Sequence, residues 1–453
     1  MNQDKFLEFR KKYPNFIYDS YEIIDEENYI KIIYHFIIDG LIEFNPYYVI
    51  EKKDIKNKDI DNNLFRYMVF HIGLIELVSY FKCTCSPNVI IKAGYIDEEQ
   101  IKWFKKLYYN GLGEMLYTNG IKVTEEDLMN IKCETQKTNI SNIEYTGFGN
   151  LIPIGGGKDS CVTLELIKEE FDNNTCIIIN PKEINLECSK IAGYNEENII
   201  SIRRVLDKKI IELNEKGFLN GHTPFSSLVA FVTYLSAYLS NKKYIILSNE
   251  SSANEPTILG TNINHQYSKT YEFENDFNNY TKKYFNIDIK YFSLLRCLSE
   301  FQIGMLFANY KKYHKIFKSC NVGSKSIPWK WCCNCAKCMF VYIILSPFLY
   351  KNELIEIFGE DLYENKELLN TLLELAGYSE AKPFECVGTY SEVRYALSLT
   401  INKLSDNLPY LLKYYRDCFG LELSTQYEKE FNEENNLEPK FIQIVKREVD
   451  KYV

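Results

Sequence analysis

The chain has no surplus of positive charge: 62 Asp and Glu outnumber 53 Lys and Arg over 453 residues, a net charge of −9. Proteins whose main partner is nucleic acid carry a basic footprint, so no nucleic-acid partner is expected; a local basic pocket is still compatible with this balance. Long apolar runs are missing too. The opening residues Met1 to Arg10 are charged and lack the apolar core of a secretory signal. The longest apolar stretch, Met339 to Tyr350, falls short of the ~20 residues a membrane crossing needs and reads as a buried helix. No membrane partner is expected, and the expected location is cytoplasmic. There is no internal repeat and no low-complexity linker. In such a compartment the 14 cysteines stand for reduced thiols, metal ligands or catalysis rather than a disulfide framework.

What is present suits a folded protein with sizeable cores, since 46% of residues are hydrophobic and 25% charged. A length prior of roughly 100–200 residues per domain suggests two or three domains. We expect three: an N-terminal α+β domain over 1–145, an α/β nucleotide domain over 146–350 that ends in a cysteine cluster, and a helical region over 351–453. In the first, Tyr29 to Ile37 and Tyr47 to Glu51 read as strands, and Asp97 with Gln100 forms a capping box. In the second, Leu151 to Ile154, Thr175 to Ile179, Ile199 to Ile202 and Tyr244 to Leu247 read as buried strands alternating with helical patterns. That alternation predicts a parallel sheet flanked by helices. Polar residues follow each strand: a glycine loop, then Asn180, then Arg203 and Arg204, then Asn249 and Glu250. Open α/β sheets bind ligands at the carboxyl ends of their strands, so these segments should converge on one crevice. Beyond Asn264 the pattern turns helical, with helices expected over 299–317 and 337–349 and a Thr389/Glu392 capping box.

The loop Gly155-Gly156-Gly157-Lys158-Asp159-Ser160 sits between an expected strand and an expected helix. Glycine backbone N–H groups can point together at an anion, and the helix N-terminus adds its dipole. Lys158 brings positive charge, Ser160 a hydroxyl, and Asp159 a carboxylate suited to nucleotide-borne Mg²⁺. Ile152 stands where a Walker loop needs its first glycine, and the dinucleotide spacing G-x-G-x-x-G is also absent. The loop resembles the S-G-G-x-D-S loop of the PP-loop ATP pyrophosphatases, with Gly155 in place of the first Ser. That resemblance implies an adenine-nucleotide α-hydrolase-like fold and cleavage of ATP between its α and β phosphates.

Cys332, Cys335 and Cys338 form C-x2-C-x2-C, with Cys320 upstream as a fourth candidate and Cys333 as a substitute. Four thiolates can close a tetrahedral structural Zn²⁺ site; buried free cysteines and an iron–sulfur cluster are the other readings.

Further segments carry a narrower likeness: Gly111-Leu112-Gly113-Glu114, Gly221-His222-Thr223-Pro224, Asn264 to Lys269, Trp331 to Cys338 and Lys382 to Thr389. Together with the loop they resemble the UDP-N-acetylmuramoyl-L-alanyl-L-glutamate epimerases of peptidoglycan precursor synthesis. The resemblance implies ATP-dependent adenylation of the terminal glutamate, inversion at its Cα, and release of AMP and pyrophosphate, with a UDP-linked muramoyl dipeptide as the small-molecule partner. Candidates for moving the proton are Cys386, His222, His265 and Lys269. For each a structural reading competes: a buried thiol, hydrogen-bonding histidines, a solvated lysine. Rival functions are a PP-loop enzyme of the 7-cyano-7-deazaguanine synthase or tRNA-thiolation kind, and a non-catalytic ATP-binding module.

Overall fold

A computed structural model describes the whole chain except residues 1, 137–142, 169–173, 259, 262, 326–328, 380, 406 and 425. Eleven strands make one sheet: β1 (Asn15–Asp25), β2 (Tyr29–Ile38), β3 (Ile42–Phe44), β4 (Tyr47–Glu51), β5 (Asn88–Ile91), β6 (Asn130–Cys133), β7 (Asn150–Pro153), β8 (Asn174–Ile179), β9 (Ile199–Val205), β10 (Tyr244–Leu247) and β11 (Lys290–Ser293). Their order is β11-β10-β7-β8-β9-β4-β2-β1-β5-β6, with β3 paired to β2. The five strands from β7 to β11 are all parallel neighbours. The chain moves outward from β7 through β8 to β9, then returns to the other side of β7 for β10 and β11. The order therefore reverses between β7 and β10, and that switch point is where such sheets open a crevice.

Successive side chains on these strands point to opposite faces, and two cores result. Leu151, Ile177, Ile200, Ile245 and Tyr291 face one core, shared with the N-terminal strands and the Phe225–Leu239 helix. Ile152, Ile178, Ile199, Ile246 and Phe292 face the other, shared with the Lys158–Ile167 helix and the C-terminal helices. The Asn62–Phe81 helical stretch is long and apolar enough to cross a membrane by composition, yet 83% of it is buried inside the protein. Its apolarity is that of a core helix.

Two features differ from the sequence reading. Strand β11 lies where helix was expected, because a four-residue strand is too short to show an alternating pattern. The helix expected over 299–317 ends at Asn309, where Tyr310 leaves helical backbone at φ −90°, ψ 59°. Both expected capping boxes form, Asp97 with Gln100 and Thr389 with Glu392.

The N-terminal strands join the parallel strands directly, β4 pairing antiparallel with β9 from Tyr47↔Val205 to Ile50↔Ile202. Arg204 reinforces that seam. Its guanidinium makes a two-pronged ion pair with Glu76, Nε–Oε2 at 2.8 Å and Nη2–Oε1 at 2.7 Å, and Tyr48 donates to the same carboxylate at 2.5 Å. Removing one partner of a buried pair strands the other charge, so Arg204→Met should lower unfolding stability by about 3–5 kcal/mol, measurable by denaturant titration.

Candidate active site

The glycine loop leaves β7 at the switch point and runs into the Lys158–Ile167 helix. Gly156 sits at φ +81°, a left-handed conformation that favours glycine, and the space beyond Gly155 is open. The Gly156 N–H donates to Ser160 Oγ at 3.2 Å, and Ser160 donates back to the Gly157 carbonyl at 3.0 Å. Lys158 is buried between Asp159 and Glu300, hydrogen-bonded to both. Burial opposes its charge, but the two carboxylates outweigh that and raise its pKa. Burial likewise opposes charge on Asp159, and Lys158, Lys337 and Lys269 overcome it and lower its pKa. Burial raises the pKa of Glu300, against the pull of Lys158.

A second group of charges surrounds Cys386. Lys269 donates to its sulfur at 3.0 Å, and Lys337 donates to its carbonyl. Burial disfavours the thiolate, yet Lys269, His265 and Lys337 outweigh it and bring the thiol down to about 6. His265 is itself held by Glu114 through Nδ1. Its burial would favour the neutral ring, but the Cys386 and Glu114 contacts prevail and raise it to about 9. His222 stands beside it with ring centroids 4.5 Å apart, and burial together with the charge of His265 lowers it to about 4. Near pH 7 one imidazole is a cation and its neighbour is neutral.

Close backbone approach makes this meeting possible. A Cβ on Gly111 would come within 2.5 Å of Pro224, and one on Gly221 within 2.7 Å of Met115. The Gly111–Glu114 turn and the Gly221–Pro224 loop can therefore pack together, bringing Glu114 within 3.7 Å of His222. Ligand atoms of Glu114, His222 and His265 lie within 4.8 Å of one another, near enough for ion pairing or a shared cation.

The sulfurs of Cys320, Cys332, Cys335 and Cys338 form a compact group, with Cys320–Cys335 at 3.8 Å, Cys332–Cys338 at 3.7 Å and Cys335–Cys338 at 3.5 Å. Zn–S bonds of about 2.3 Å in a tetrahedron separate sulfurs by about 3.8 Å, so these four residues could hold zinc. Cys333 is turned away, its sulfur on the Phe358 carbonyl at 3.1 Å.

Two family models match the chain, one described as the MurL N-terminal domain over residues 8–294 and the other as the MurL C-terminal domain over residues 316–417. The chain belongs to the MurL family. Among curated relatives, a Xanthomonas oryzae pv. oryzae protein is 33% identical over 339 residues, covering 73% of this chain and 74% of its own. A Salinispora tropica protein is 31% identical over 335 residues, covering 72% of each chain. A Micromonospora relative is also 31% identical, over 332 residues that cover 72% of this chain and 73% of its own. All three bear the name UDP-N-acetyl-alpha-D-muramoyl-L-alanyl-L-glutamate epimerase. No solved structure matches the chain.

Within this MurL-family fold, the sequence-expected residues divide by strand. The loop after β7 and Asn249 and Glu250 after β10 flank the switch point. Asn180 follows β8, one place further out, whereas Arg203, expected just past a strand ending at Ile202, lies within β9, two places out and paired with Val49, because that strand runs on to Val205. The Asn180 side chain pairs with the Arg204 backbone, accepting at 2.7 Å and donating at 2.9 Å. Arg203 is exposed, and among the described residues no side-chain bond ties it to either cluster. Several contributors carried no expectation: Glu114, Glu300, Lys337 and Arg296. Arg296, fully buried, donates to the Glu250 carbonyl at 2.7 Å and the Lys269 carbonyl at 2.5 Å, fixing Lys269 against the end of β10. A Ser299/Gln302 capping box was readable and would have put Glu300 at a helix start; a buried arginine leaves no such pattern.

Alkylation of Cys386 by iodoacetamide should rise with pH around a midpoint near 6 and level off above it, since the thiolate is the reacting form. In Lys269→Met the midpoint should climb toward the ordinary thiol value of about 8.5. Mass-spectrometric rates at several pH values would measure both.

Proposed function

We propose that this protein is a cytoplasmic, ATP-dependent epimerase that inverts the terminal L-glutamate of UDP-N-acetylmuramoyl-L-alanyl-L-glutamate. Its relatives' names support the substrate. The mechanism is carried by the place of Lys269 and Lys337 between the two clusters: Lys269 donates to the Cys386 sulfur at 3.0 Å, Lys337 donates to the Cys386 carbonyl, and the charges of both hold the pKa of Asp159 in the loop down. A nucleotide-activating loop of the PP-loop kind and a set of proton carriers thus serve one crevice.

The chemistry explains the pairing. Removing the Cα proton beside a free carboxylate would place two negative charges on one enediolate. Adenylating the carboxylate removes one charge and acidifies the proton. Open space at Gly155, the left-handed Gly156 and the helix N-terminus suit phosphate oxygens, and Asp159 is the carboxylate that would hold Mg²⁺. When bound, Mg²⁺ supplies positive charge to the phosphates. Neutral His222 and the Cys386 thiolate are the proton acceptors at neutral pH, and His265 and Lys269 are the donors. A groove of ≈ 1410 Å³, lined by Gly113 and Asn264, the sequence neighbours of Glu114 and His265, together with Asn110, Tyr117, Asn254 and Tyr267, has room for the remainder of a large substrate. Zinc in the four-cysteine group would be structural, tying the segment after Ser319 to the helix that bears Lys337.

With Mg-ATP and this substrate in deuterated water, deuterium should enter the glutamate Cα as AMP forms. AMP without exchange would refute the epimerase reading. Asp159→Ala should lower AMP formation by roughly 100-fold or more, the scale of losing one electrostatic group at a reacting phosphate. Metal analysis should find one zinc per chain, lost in Cys332→Ser together with a fall in melting temperature.

A further inference from the structure

We propose that Cys386, backed by His265 and Glu114, takes the acyl group from AMP as a thioester, and that the glutamate is inverted while attached to the sulfur. The proposal rests on the adenylation reading above, and puts a covalent step in place of proton acceptance by Cys386, leaving His222 as the acceptor. A nucleophile, a histidine on it and a carboxylate behind the histidine is the arrangement that activates side chains for acyl transfer. Here the three come from distant parts of the chain: Glu114 holds His265 Nδ1, Lys269 donates to the Cys386 sulfur, and the charge of His265 acts on the same thiol. Cys386 is only partly buried, in an irregular segment rather than a helix or strand, so an acyl group can reach it. The Lys269 ammonium lies 3.0 Å from this sulfur and Lys337 donates to the carbonyl of the same residue, the setting of a preformed thiolate nucleophile.

The step balances. The thiolate attacks the acyl carbon, the S–C bond forms, the C–O bond to AMP breaks, and AMP leaves with the electron pair. The thioester keeps the Cα proton acid after AMP has gone. His222 takes that proton, and a cationic neighbour, His265 or Lys269, returns one. Water then attacks the carbonyl, the C–S bond breaks, and carboxylate and thiolate are regenerated with release of two protons. ATP and water are the only co-reactants. Glu114 is a positioning residue, acting through His265.

The test uses the full chain with Mg-ATP and the dipeptide substrate deuterated at the glutamate Cα, which slows inversion. Acid quenching during turnover should give protein heavier by the substrate less one water, on the Cys386 peptide, and a burst of AMP approaching one per enzyme. Cys386→Ala should retain pyrophosphate exchange into ATP, lose the adduct, and lose Cα exchange by 100-fold or more. Glu114→Gln should raise the pH midpoint of Cys386 alkylation, which loss of packing alone would not do. An acyl-adenylate in the quench without the adduct, or no trapped acyl species despite pyrophosphate exchange, overturns the thioester. Absence of pyrophosphate exchange in the unaltered protein instead removes the adenylation reading itself.

Discussion

An ammonium group with 1% of its side chain exposed cannot stay charged without compensation, and the arrangement of the site follows from how Lys158 obtains it. Two carboxylates meet it, one next in sequence and one 142 residues away. Glu300 opens a helix whose first N–H is in turn accepted by Glu392 at 2.6 Å. Glu392 also accepts from Thr389 N–H at 2.7 Å, and Thr389 closes the segment that bears Cys386. One buried cation thereby links the loop, through a single carboxylate and a shared cap, to the thiol.

The cysteine group works on the same two parts from the other side. Gly157 packs against Ser319, where a Cβ would lie 2.8 Å from the hydroxyl, and the Lys318 N–H donates to the Gly156 carbonyl at 3.1 Å. Cys320 is the next residue. Cys335 precedes the Ala336–Leu345 helix, and Lys337 on its first turn reaches the Cys386 carbonyl. The four sulfurs meet where these two strips of chain come together.

What could be read from sequence was what is local. The glycine loop, the strands around it and the two capping boxes announce themselves within a few residues, because turn chemistry and caps depend on neighbours. Cys386, His222, His265 and Lys269 could be named but not assembled. Their protonation depends on contacts across the fold: His222 and His265 have the same side chain, yet burial beside a cation lowers one and two acidic partners raise the other. Strand order was illegible for the same reason. In sequence Asn180 and Arg203 stand after apolar runs just as Glu250 does; in the fold Arg203 falls inside β9, and the reversal between β7 and β10 sets Asn180 apart from Glu250.

The seam between β4 and β9 has a consequence for how the protein can be divided. Strand β9 is covered on one side by β8 and on the other by a strand from the first 60 residues. Cutting the chain before the glycine loop would turn β9 into a bare sheet edge, with unpaired backbone groups open to pairing with another molecule. It would also take away Glu114. The two halves of the sheet therefore depend on each other's strands, and neither would be expected to stay soluble when expressed alone.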